Sequence, residues 1–259
     1  MNIAVCIKQV PDTETKIKID GAGTFIDESG VNFVVSPYDE YAVEEALKIR
    51  EAKGAGEVVV ISAGPERAAT ALRSCLAMGA DRAVHLKADA LDRTDALGTA
   101  RALAALLKTV PHDLVLFGRY AVGTDQNAVG VMVAEMLGLP HVSAVVKLEI
   151  KDGSLRAERE IEGAREVYEC ALPAVLTADK GLNEPRYASL KGIMAAKKKT
   201  IETRDLASVG LQPADVAPRV VWTKLELPAP RPAGQVFTGD PAEAARAVVK
   251  ALHEVDKLI

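Results

Sequence analysis

Residues 113–137, DLVLFGRYAVGTDQNAVGVMVAEML, decide the fold. A short apolar run, Asp113–Phe117, reads as a buried strand. A loop of glycine and polar residues follows, and a helix is expected from about Asn127 to Leu137. The same strand–loop–helix unit recurs upstream. Ile3–Ile7 reads as a buried strand. Glu57–Ile61 is another, followed by Gly64-Pro65 and a helix to about Met78. Ala83–Leu86 is a strand and Thr94–Thr109 a helix. Strands that alternate with helices predict an α/β fold, a doubly wound parallel sheet with helices on both faces and right-handed crossovers.

Other segments decorate this frame. Lys16–Ile19 and Asn32–Val35 alternate about a glycine-rich turn at Gly21–Gly23, which predicts a hairpin excursion. Ser36-Pro37-Tyr38-Asp39 predicts a helix start, with Ser36 as cap, Pro37 at the first helical position and Asp39 at capping-box spacing. That helix should run to about Lys53 and stop at Gly54 and Gly56. From Val142 to Cys170 the texture changes to alternating strands, Val142–Ile150, Leu155–Ile161 and Glu166–Cys170, with a hairpin turn at Lys151-Asp152-Gly153. An apolar strand, Ala174–Ala178, follows. Beyond Lys199, five of the thirteen prolines fall in 213–232, densest at Pro228, Pro230 and Pro232, which favours extended backbone. Asp240-Pro241 then opens a terminal helix to about Val255, with Ala244, Val248, Leu252 and Val255 on one face.

Composition narrows the function. A chain of 259 residues with 49% hydrophobic and 26% charged residues can bury a sizeable core. Its net charge of −4 gives no nucleic-acid footprint. No apolar run is long enough to span a bilayer, so no membrane insertion is expected. The chain enters an apolar strand by Ile3 without a charged leader, so a cytoplasmic location is expected. Cys6, Cys75 and Cys170 are far apart and form no Cys-x-x-Cys pair, and the four histidines are scattered. Neither pattern indicates a metal site or a redox dithiol. No catalytic triad or paired acid and base stands out, which suits a chain that carries out no bond chemistry.

The loop Gly118–Gly130 lies where ligands of open α/β sheets bind, beyond the carboxyl end of a parallel strand. Free N–H groups at the helix start, with the Thr124 and Asn127 side chains, offer a phosphate seat. The same composition also suits an ordinary βα connection. Neither a P-loop nor a Gly-x-Gly-x-x-Gly after the first strand is present, and the loop has no lysine to meet a γ-phosphate. A short, weakly charged phosphate fits better than a triphosphate awaiting transfer.

Residues 182–199, LNEPRYASLKGIMAAKKK, place apolar residues beside dense positive charge. Leu190, Ile193 and Met194 lie three and four apart, the spacing of one helical face. Lys191 and Lys197–Lys199 crowd the same segment, with Arg186 just before, and Pro185 makes it start as a turn. A leucine ringed by cations can dock into an apolar pocket with an acidic rim. Lysines at the end of a solvated helix have the same composition.

This stretch resembles the recognition loop of the electron transfer flavoprotein β-subunit family. The resemblance extends to Arg159–Gly163, Leu172–Asp179 and Cys6–Asp12, and so to nearly the whole chain. It implies an adenine-nucleotide-binding domain over 1–181, a partner-recognition loop at 182–199 within it, and a C-terminal arm at 200–259 that packs on an α subunit. AMP contacts carry over onto Cys6, Ser36, Pro37, Tyr38, Asp39 and Ala63. They carry over also onto the loop Gly118, Arg119, Tyr120, Ala121, Val122, Gly123, Thr124, Asp125, Gln126, Asn127, Ala128 and Val129. Val129 stands where the family has a threonine, and electron-bifurcating relatives hold a second FAD in place of AMP. Tyr38 falls where the family sets an aromatic beside an FAD held mainly by the α subunit. Glu160 falls where an acidic residue pairs with an arginine of the FAD domain. Leu190, with Lys191, Ile193 and Met194, would dock acyl-CoA and other flavin dehydrogenases, and a quinone oxidoreductase would take the electrons on. The alternative from the residues alone is a free-standing nucleotide-binding α/β protein.

Overall fold

The computed structural model describes residues 1–231 and 233–259. Pro232, the last of the proline cluster, lies outside the described residues. Alternation along each central strand sorts the core into two layers. Ile3, Val5, Val58, Val60, Leu114 and Leu116 face one way and pack with Leu47, Leu72 and Cys75. Ala4, Cys6, Val59, Ile61, Val115 and Phe117 face the other way and pack with Leu103, Leu106 and Val133. A strand buried on both faces must read as continuously apolar, and these do. Each fully buried aliphatic side chain contributes about 1.5–3 kcal/mol.

The first half of the chain runs β1 (Ile3–Cys6), β2 (Gln9–Pro11), β3 (Phe33–Val35), α1 (Pro37–Lys53), β4 (Val58–Gly64), α2 (Ala68–Met78), β5 (Arg82–Lys87) and α3 (Ala96–Leu107). There follow β6 (Leu114–Gly118), α4 (Val129–Leu137), β7 (His141–Lys151), β8 (Ser154–Ile161), β9 (Ala164–Ala171), β10 (Ala174–Ala178), α5 (Leu190–Lys198), β11 (Ile201–Arg204) and α6 (Pro241–Lys250). The main sheet has nine strands in the order β11-β5-β4-β1-β6-β10-β7-β8-β9. It is parallel from β11 to β7, and β8 and β9 extend it antiparallel. Helices α1 and α2 cover one face, α3 and α4 the other. This is the expected doubly wound α/β fold with an antiparallel portion.

Three local expectations change. The excursion after β1 pairs Gln9–Pro11 with Phe33–Val35, while Lys16–Ile19 contributes only an isolated bridge, Ile19 to Ile26. Val10 is buried, and burying it outweighs the alternation of the more polar Lys16–Ile19 run. Ser36 occupies the cap position of α1 without a side-chain cap bond, and Asp39 is drawn into long-range bonds described below. Residues 201–204, read as the start of an extended arm, form edge strand β11 beside β5.

The chain divides into two compact units, Met1–Lys224 and Leu225–Ile259. In the second unit Asp240 caps α6, its carboxylate accepting from the N–H groups of Ala242 and Glu243. That unit leaves Val249 and Val255 uncovered. Among the described residues, no helix is long and apolar enough to cross a membrane.

Candidate functional site

Strand β1 lies between β4 and β6, and the chain leaves it first toward β4 and β5, then returns on the other side at β6. The carboxyl edge between β1 and β6 is therefore the switch point where such sheets form a crevice. Cys6 is in register with Ile61 of β4 and Phe117 of β6. Cys6, Ala63 and Gly118 thus meet on one edge, and the start of α1 lies over it.

Asp39 builds the floor of this crevice. It is buried, and its two carboxylate oxygens accept the N–H groups of Lys8 at 2.7 Å and of Gly118 at 2.9 Å. The side chain ties the ends of β1 and β6 together and is not free to cap its helix. Burial pushes its carboxyl up to about 7, against the pull of the two N–H donors. Gly118 permits the approach, since a Cβ there would lie 2.5 Å from the Asp39 carboxylate oxygen. The Cys6 thiol is buried beside it, and burial pushes its pKa up, which leaves it inert.

The loop from Arg119 to Ala128 turns on main-chain bonds. Thr124 and Asp125 both donate their N–H to the Ala121 carbonyl. Asp125 and Asn127 adopt left-handed backbone, with φ of 45° and 49°, residue types that tolerate it. Helix α4 then begins at Val129 with no side-chain cap, so peptide N–H groups crown its first turn. Arg119 pairs with Asp179 at 2.8 Å, and its Nε is buried without a partner. The Tyr38 and Tyr120 hydroxyls share a hydrogen bond at 2.9 Å, the rings 4.3 Å apart. That bond, with burial second, pushes the Tyr38 phenol up to about 12.

A second surface lies on α5. Ser189 caps it, accepting from the Gly192 N–H. Leu190 is 84% exposed and Met194 59%, with Ile193 and Lys191 also outward, while Ala196 packs into the core. Gly192 presses on α2, where a Cβ would lie 2.3 Å from the Ala77 carbonyl oxygen. The expected ring of cations loses two members, because Arg186 turns inward onto Glu44 and Glu51 of α1 and the Lys199 ammonium donates to the Ala80 carbonyl at 2.6 Å. Glu160 sits at the tip of the β8–β9 hairpin, exposed and paired with Arg165 at 2.9 Å. Cys6, Asp39 and Gly118 meet at the carboxyl edge of β1 and β6 and Tyr38 bonds Tyr120 beside it, Leu190 to Met194 share one helix, and Glu160 stands on a third element. Sequence reasoning missed the Tyr120–Tyr38 bond and the inward turn of Arg186, both long-range contacts without a local signal.

A family model described as the electron transfer flavoprotein domain matches residues 23–209. The chain belongs to the electron transfer flavoprotein β-subunit family. It is 38% identical over 260 residues to the electron transfer flavoprotein subunit beta of Bacillus subtilis, which spans 100% of both chains. The protein of that name from Mycobacterium bovis is 39% identical over 97% of each chain, and that from Syntrophomonas wolfei 42% over 80% of this chain and 81% of its own. Electron transfer flavoprotein β subunits serve electron transfer and are not catalysts.

Proposed function

We propose that this chain pairs with an electron transfer flavoprotein α subunit, binds AMP in the switch-point crevice, and presents Leu190 to flavin dehydrogenases. The switch-point edge and the uncapped helix start beside it support a small nucleotide monophosphate. The donors are the peptide N–H groups at the start of α4, which suit a phosphate. The main-chain edge of Cys6 and Ala63 suits an adenine. An FAD held mainly by the α subunit supplies the redox chemistry, with Tyr38 at its edge. Acyl-CoA and related dehydrogenases donate the electrons, and a quinone oxidoreductase accepts them. Glu160 pairs weakly with the FAD-bearing domain, at about 0–1 kcal/mol for an exposed pair. The C-terminal arm covers its apolar side chains on the α subunit, and the complex works in the cytoplasm.

The observation that carries this reading is the exposure of Leu190, 84%, on a helix whose other side is packed. A large aliphatic residue held in water on a rigid support favours a partner that covers it. Nucleotide extraction from the purified heterodimer tests the reading. One FAD and one AMP are expected. Two FAD would make the complex a bifurcating relative, and a colourless, stable monomer that turns over ATP would overturn the proposal.

A further inference from the structure

We propose that Arg186 is the positioning residue of the docking surface, holding the strap 182–189 on α1 so that Tyr187 stands out beside Leu190 as part of the contact. The proposal rests on the reading of 182–199 as a docking loop and names what gives that loop its shape.

The strap from Leu182 to Ala188 contains no helix or strand. A segment without its own hydrogen-bond ladder keeps one shape only if its side chains are tied elsewhere. Both ties run to α1. The Asn183 amide donates to the Tyr41 carbonyl at 3.0 Å and to Glu45 at 2.9 Å. The Arg186 guanidinium meets Glu44 through Nε at 2.7 Å and Nη2 at 2.9 Å. It meets Glu51 through Nη1 at 2.6 Å and Nη2 at 3.0 Å. The Arg186 backbone N–H also donates to Glu44, at 3.2 Å. Two carboxylates therefore grip one planar fork, a geometry that lysine cannot reproduce. Glu44 is buried, so its charge depends on this pairing.

The consequence falls on the next residue. Tyr187 is 99% exposed, although Arg186 before it is clamped and Ala188 after it packs against the core. The phenol ring is held out in water by backbone pinned on both sides. Three residues on, Leu190 starts α5, and Met194 lies one turn further on the same side. A tyrosine, a leucine and a methionine in sequence, all outward, make the kind of aromatic and aliphatic anchor that carries binding energy. Lys191 and Lys197 beside them select a partner cleft with an acidic rim. Holding such a surface ready before encounter removes the ordering cost at binding.

The test uses the heterodimer, with a substrate-reduced acyl-CoA dehydrogenase as donor. R186Q alone strands the buried Glu44 charge, so the E44Q/R186Q double variant carries the comparison. Amide hydrogen exchange over 183–190 should quicken about tenfold or more, and the KM for the dehydrogenase should rise about tenfold with kcat and nucleotide content unchanged. Y187A should raise KM without changing the exchange. Unchanged exchange, or quickened exchange with an unchanged KM, overturns the proposal while leaving the docking reading intact, provided L190A raises KM. If L190A leaves KM as it was, the docking reading falls and the proposal falls with it.

Discussion

The Asp39 carboxylate accepts the Gly118 N–H at 2.9 Å across 79 residues of sequence. With its second oxygen on Lys8, it is a strut between the two strand ends that frame the crevice. Asp39→Ala strands two peptide donors, at about 1–3 kcal/mol for each that stays dry. A matching fall in the urea midpoint checks this. A drop below about 0.5 kcal/mol would show that water replaces the carboxylate.

The strut also carries a pH signature. Burial raises the folded pKa of Asp39 to about 7, above its unfolded value. Its stabilising contribution is then fullest below the unfolded value, about 3.9, and declines as pH rises through the folded value. Asn cannot titrate, so the deficit of Asp39→Asn relative to the parent chain should be larger at pH 5 than at pH 8. Urea midpoints at both pH values measure it, and an equal deficit would contradict the assignment.

Tyr120→Phe removes the hydroxyl that raises Tyr38. Phenolate absorbance should then show Tyr38 ionising closer to the ordinary value of about 10. In the parent chain the contribution of the neutral Tyr38 phenol to stability is complete below pH of about 10 and is lost as pH passes about 12. An unchanged titration would mean that burial, and not the hydroxyl pair, sets the acidity.

Gly192→Ala pits two effects against each other. Alanine favours a helix over glycine by about 1 kcal/mol. The added carbon would meet the Ala77 carbonyl oxygen at 2.3 Å, and main chain cannot swing away as a side chain can. Overpacking of this kind costs about 1–3 kcal/mol, so the variant should be less stable by thermal unfolding. A raised Tm would mean that α5 lifts off α2 freely.

Leu190→Ala should separate stability from function. An outward side chain contributes within about 0.5 kcal/mol, so the unfolding midpoint should hold. Electron transfer from a reduced dehydrogenase should slow while flavin content stays constant. Equal rates would remove Leu190 from the contact.

The sequence made the layered core legible because continuous apolar runs such as Val58–Ile61 have few other uses. The crevice loop was legible for the same reason, since it follows a strand and precedes a helix. What stayed hidden depends on distant partners. Asp39 stands at capping-box spacing, yet its bonds go to Lys8 and Gly118. Arg186 joins a basic run, yet its charge is spent on Glu44 and Glu51. Strand β11 was hidden beside the lysine run, although Ile201 and Thr203 alternate with Glu202 and Arg204 in strand fashion.

Val220, Val221, Trp222, Leu227, Val236 and Val255 all stand uncovered toward the end of the chain. A row of hydrocarbon side chains held in water attracts chaperones and proteases until a partner covers it. Synthesis matched to a covering partner would then favour accumulation of this chain.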